Sequence, residues 1–134
     1  MNKQSFQEVL NSHSPMIIDG GLATQLEAQG CDIRNALWSA SLLQTNPDAI
    51  VEATRAYLDA GAECVATASY QASREGFATL GLSADEANKL MRLSVDLAVR
   101  ARDEFLAADP DIESKGRTPQ CWFAIEGEFV AEAE

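Results

Sequence analysis

The residues best placed to do chemistry fall at two points of the chain. Asp19, Gly20 and Gly21 follow the apolar triplet Met16-Ile17-Ile18, and Thr67, Tyr70 and Gln71 lie at or just beyond the apolar run that starts at Cys64. A carboxylate beside two glycines can accept from a ligand's donor while bare backbone comes close to the ligand. Taken alone, Asp19 reads rather as a turn residue whose side chain bonds nearby backbone. Tyr70, like Trp38, taken alone reads as a core aromatic with a satisfied polar tip, and Thr67 as a strand threonine bonded to its neighbours. Cys31, Cys64 and Cys121 are spaced too widely for CxxC metal or redox pairs and read as small apolar fillers or free thiols. His13 is the only histidine, so His-based zinc pairs and Ser-His-Asp or Cys-His constellations are not expected. GxGxxG and GxxxxGK[ST] phosphate cradles are absent as well.

The elements that must position these residues are marked by punctuation and period. Residues 4 to 12 have the composition of a short leading helix, and residues 16 to 18 read as a strand running into the Asp19-Gly20-Gly21 turn. Residues 22 to 29 read as a helix that stops at Gly30, where a left-handed cap needs no Cβ. Asn46-Pro47-Asp48 predicts a helix start with Asn46 as N-cap and Pro47 at the first helical position. Ile50, Val51, Tyr57 and Leu58, with Thr54 between them, give that helix one buried stripe ending at Gly61. Cys64 to Ala68 reads as a strand buried on both faces. Ser83 and Glu86 form a capping box, and Ala87, Leu90, Met91, Ser94, Leu97, Ala98, Ala101 and Phe105 continue at the helical period for about five turns. Pro110 to Pro119 is a loop, and Cys121 to Ile125 is a candidate third strand.

Strand and helix in alternation predict an α/β fold with a parallel sheet and right-handed crossovers. Either a doubly wound sheet or part of a (β/α)8 barrel satisfies that order. A barrel takes about 250 residues, so 134 residues supply only its first two or three units. In both architectures ligands meet the ends of strands and the loops that follow them. A formal charge of −11 argues against a nucleic-acid surface. No run of about eighteen apolar residues could span a bilayer and no signal-peptide pattern opens the chain, so the expected setting is the cytoplasm, away from membranes.

Four segments, DGGLATQLEAQG at 19 to 30, LWSASLL at 37 to 43, YLDAGAECVATASYQAS at 57 to 73 and GFATLGL at 76 to 82, together resemble the homocysteine S-methyltransferase family, in order and with compatible spacing. The resemblance runs from about Met16 to Pro110 and is nearest to members that use S-methylmethionine or S-adenosylmethionine as methyl donor. It implies a zinc-dependent enzyme on a (β/α)8 TIM barrel that methylates homocysteine to methionine. Zinc would hold the substrate sulfur as a thiolate, and in-line attack on a sulfonium methyl would draw much of its rate from orientation. Carried over by position, Asp19 would bind the amino group of homocysteine, and Gly20 and Gly21 would offer amide hydrogens to its carboxylate. Trp38, Ser39 and Tyr70 would lie near the methyl donor, where aromatic faces attract a cation, and Thr67 is a weaker candidate. The family's zinc thiolates sit on later strands, two of them in a Gly-Gly-Cys-Cys pattern that this chain lacks.

Beyond Pro110 the family's Gly-Ser-x-Gly-Pro-type loop is replaced by TPQCWFAIEGEFVAEAE. The expected organisation is therefore residues 1–112 as the N-terminal βαβα part of a truncated homocysteine-binding barrel, and 113–134 as a divergent linker or tail. Such a part would hold half of a small-molecule site without its zinc ligands and would be inactive alone. Its exposed barrel edges would favour self-association. The competing reading is a non-catalytic half-barrel that docks on a partner. An aldolase or phosphate-ester barrel ranks lower, because Lys3, Lys89 and Lys115 do not fall at strand ends.

Overall fold

The structure, a computed structural model, describes residues 7–8, 11, 16–34, 38–69 and 73–112, and for 38–40 the backbone alone. Gln7, Glu8 and Asn11 are helical, as the leading segment's composition predicts. Among the described residues five helices follow: α1 (Leu22–Ala28), α2 (Trp38–Thr45), α3 (Pro47–Ala60), α4 (Arg74–Thr79) and α5 (Ala84–Ala108).

α3 begins where Pro47 sets the helical φ, carries Asp48 in its first turn against the positive end of the dipole, and ends at Gly61 with φ +118°. Asn46 occupies the N-cap position without the expected side-chain bond. Its backbone carbonyl accepts from the Ala49 amide instead (3.2 Å). α5 opens with the capping box complete: Ser83 Oγ accepts from the Glu86 amide (3.2 Å), and Glu86 Oε2 accepts from the Ser83 amide (2.8 Å). Its expected stripe is buried from Ala87 to Phe105, with Leu90 only half-buried. α3 and α5 form the most extensive helix pair. Small buried residues on both, Ala53 on α3 and Ala98 and Ala101 on α5, permit close approach. Arg100 ties them at the rim, bonding Asp48 (2.8 Å) on α3 and Glu104 (2.9 Å) on its own helix. The core around this pair takes Leu26, Leu43, Ile50, Leu58, Val65, Phe77, Met91 and Phe105.

Two helices were not anticipated from local pattern. α2 buries Leu42 and Leu43, and α4 is a six-residue helix capped by Ser73, whose side chain accepts from the Gly76 amide. α4 is shorter than the span over which a 3.6-residue period becomes visible; it is held by the fully buried Phe77.

The two apolar runs meet at a single parallel bridge, Ile18 with Cys64, and no extended sheet forms among the described residues. The expected pair of strands is thus reduced to one point of pairing. Cys64 accepts from the Asp19 amide (2.9 Å) and Ile17 accepts from the Cys64 amide (3.2 Å). In a parallel ladder the next bond would run from the Ala66 amide to the Asp19 carbonyl. The Asp19 carboxylate takes that amide instead (2.9 Å) and ends the ladder. Val65 and Thr67 are fully buried, whereas Cys64 and Ala66 are half-buried, so the second run is not covered on both faces throughout. Ile17 and Ile18 remain 54% and 67% exposed. The candidate third strand at Cys121 to Ile125 lies outside the described residues.

Candidate functional site

Asp19 sits where the first run ends, and its backbone and side chain both point across to the second. The amide donates to Cys64, while Oδ2 accepts from Ala66. The bond to backbone that a turn aspartate would make locally is therefore made across the structure, to a residue 47 positions away. Glu63 completes the junction, its carboxylate accepting from the Ile17 amide (2.9 Å) and its own amide donating to the Ile17 carbonyl (2.7 Å). Half-burial pushes the Asp19 carboxyl above the ordinary aspartate value, against the opposing pull of the bonds from Ala66 and from its own amide. A half-buried carboxylate whose donors are backbone amides has acceptor capacity left, and a cation brought to it would relieve the cost of its charge. An ammonium group is one cation such a carboxylate can receive.

Gly20 and Gly21 are not needed for a left-handed backbone; the positive-φ glycines are Gly30, Gly61 and Gly81. Gly20 is needed for space. A Cβ there would lie 2.9 Å from Cε1 and 3.0 Å from the hydroxyl oxygen of Tyr57. A Cβ on Gly21 would meet Thr24 Oγ1 at 3.1 Å. The Tyr57 hydroxyl donates to the Gly21 carbonyl (2.9 Å), which also accepts from the Gln25 amide at the start of α1 (3.2 Å). Tyr57 belongs by spacing to the apolar stripe of α3; the signal for a second role is that it is the stripe's one aromatic residue and carries a hydroxyl, one turn before the helix end.

Thr67 is buried and shares a 2.5 Å hydrogen bond with the equally buried Ser69. Its hydroxyl lies beneath the surface rather than on it. Trp38 and Ser39 open α2. Tyr70, and Gln71 beside it, lie outside the described residues. The structure therefore brings Asp19, Gly20 and Gly21 together with the segment from Glu63 to Ala66. Cys31 and Cys64 are not joined in a disulfide, and among the described residues no three His, Cys, Asp or Glu side chains gather as a metal site. This part of the chain does not fit zinc. No helix among the described residues is long and apolar enough to cross a membrane.

A parallel bridge that ends in a carboxylate and a glycine pair, with helices on either side, is compatible with an α/β arrangement, where ligands are commonly met at strand ends. The comparisons narrow this further. The family model for homocysteine S-methyltransferase matches residues 16–125, past Pro110 and through the Cys121 to Ile125 segment. Homocysteine S-methyltransferase YbgG of Bacillus subtilis is 46% identical over 99 residues, covering 74% of this chain and 31% of that protein. Homocysteine S-methyltransferase of Escherichia coli is 44% identical over 102 residues, covering 76% and 33%. The crystal structure of the metallated E. coli homocysteine methyltransferase MmuM superposes with a TM-score of 0.79 at 38% identity, covering 90% of this chain and 40% of that one. The chain belongs to the homocysteine S-methyltransferase family. It spans about a third of the length of the curated relatives it matches.

Proposed function

We propose that this chain carries the homocysteine-holding part of a homocysteine S-methyltransferase, and that the whole protein transfers a methyl group from S-methylmethionine or S-adenosylmethionine to homocysteine, giving methionine. The observation that supports it is the Asp19 carboxylate, held between the two apolar runs by the Ala66 amide and left, among the described residues, with acceptor capacity for an ammonium group. Asp19 would bind the amino group, and the amides at Gly20 and Gly21 would take the carboxylate. Thr67 would support the floor of the site through Ser69. Trp38, Ser39 and Tyr70 would face the methyl donor. Residues 1–112 would form the βαβα opening of a TIM barrel and 113–134 a linker or tail, within which the family match continues to residue 125, working in the cytoplasm on small molecules.

In the family's chemistry zinc would lower the pKa of the homocysteine thiol, and the described residues offer no ligand set to hold it. The purified 134-residue chain is therefore expected to bind homocysteine without turning it over. Incubation with homocysteine and S-methylmethionine, followed by quantification of methionine, tests this. Methionine formed above a zinc-only background would overturn the half-site reading.

A further inference from the structure

We propose that Tyr57 is a positioning residue, its hydroxyl and ring together setting the conformation of the Asp19-Gly20-Gly21 loop and so the placement of the amino-acid end of the substrate; this rests on the reading of that loop as the homocysteine site. Two independent contacts carry it. The hydroxyl donates to the Gly21 carbonyl at 2.9 Å, and with the Gln25 amide also donating there, both lone pairs of that oxygen are used. Because the peptide unit is planar, fixing the carbonyl fixes the whole Gly21–Leu22 plane. The ring edge fills the volume that any side chain at position 20 would need, with contacts of 2.9 to 3.2 Å to a Cβ placed there. Hydroxyl and ring therefore constrain two successive residues of the loop from one side.

Tyr57 also anchors the other half of the site. Its carbonyl accepts from the Ala62 amide (3.0 Å) in the turn that ends α3 at Gly61. That turn delivers Glu63 and Cys64 to Ile17 and Asp19. One residue thus holds the loop by its side chain and the opposing segment by its backbone. A tyrosine serving only the core would need neither the carbonyl partner nor a bare glycine beneath its ring.

The test compares the full chain with Tyr57→Phe, which keeps the ring and removes the hydroxyl. In ligand-free ¹⁵N-labelled protein the amides of residues 19 to 22 are expected to shift and to exchange faster in the variant, while the urea midpoint of the helical signal changes little. Homocysteine affinity by calorimetry is expected to fall about tenfold, the size of one neutral hydrogen bond lost from the support of the site. In an Asp19→Asn background the same change is expected to cost much less, because both act through one loop. Unchanged amides at 19 to 22, or additive losses in the two backgrounds, would overturn the proposal. If the wild-type chain fails to bind homocysteine at all, the reading of the loop falls; the ligand-free amides then decide alone, loosening upholding Tyr57 as the residue that sets the loop and its absence refuting it.

Discussion

Replacing Asp19 separates what its carboxylate does for the fold from what its charge does for a ligand. In Asp19→Ala the Ala66 amide loses its acceptor in a half-buried position, and an orphaned donor of that kind costs about 1–3 kcal/mol. Asp19→Asn keeps an acceptor oxygen on a side chain of the same shape, and it removes the charge whose desolvation raises the carboxyl's pKa. At neutral pH the Asn variant is expected to be at least as stable as wild type, and the Ala variant about 1–2 kcal/mol less stable. The pH dependence has a definite sign. A folded-state pKa above the unfolded value means that the favourable contribution of Asp19 is present below the unfolded pKa and is lost as pH rises through the folded one. The advantage of Asp19→Asn over wild type should therefore shrink as pH falls into the carboxylate range. Urea unfolding followed by far-ultraviolet circular dichroism at pH 7 and at pH 4 measures both. An Asn variant as unstable as the Ala variant, or a gap that widens on acidification, would refute the reasoning.

Three further outcomes follow from the fold. Ser83→Ala removes the hydroxyl that caps the Glu86 amide and is expected to cost about 1 kcal/mol in urea unfolding; a loss below about 0.3 kcal/mol would mean that α5 starts without its box. Gly20→Ala drives a Cβ to 2.9 Å from the Tyr57 ring and is expected to cost about 1–3 kcal/mol, with most of the cost removed in a Tyr57→Ala background; equal costs in both backgrounds would contradict the packing. Ile17 and Ile18, 54% and 67% exposed beside a strand paired at one point, are expected to drive association, so sedimentation should show mass rising with protein concentration and Ile18→Lys should suppress it. A wild-type monomer at all concentrations would remove that expectation.

The helices were the legible part of the sequence because their signals are local. Pro47, Gly61, the Ser83 and Glu86 box and the long stripe on α5 each name a helix end or face within a few residues, and all but the Asn46 side-chain cap appear in the structure. α4 was hidden by its length, and α2 lay in a segment that spoke only through family resemblance. The strands were overread because an apolar run states a preference for burial, whereas pairing depends on partners elsewhere in the chain. Here Asp19 intercepts the amide that would have extended the ladder, a competition between side chain and carbonyl that no spacing encodes. Asp19 itself was legible as a candidate from its place after an apolar run and before two glycines. The reason for Gly20 was not, since it lies in the ring of Tyr57, far along the chain and on another element.

The most direct test of the central claim, that the Asp19 loop holds the ammonium group of homocysteine, is a calorimetric cycle using homocysteine and 4-mercaptobutyrate, which lacks only the amino group, against wild type and Asp19→Asn. Saturable binding of homocysteine to wild type is expected, with a loss of about tenfold or more on removing either the amino group or the charge of Asp19, and little further loss on removing both. Equal affinity of wild type for the two thiols, or an Asp19→Asn variant that binds homocysteine as wild type does, would contradict it.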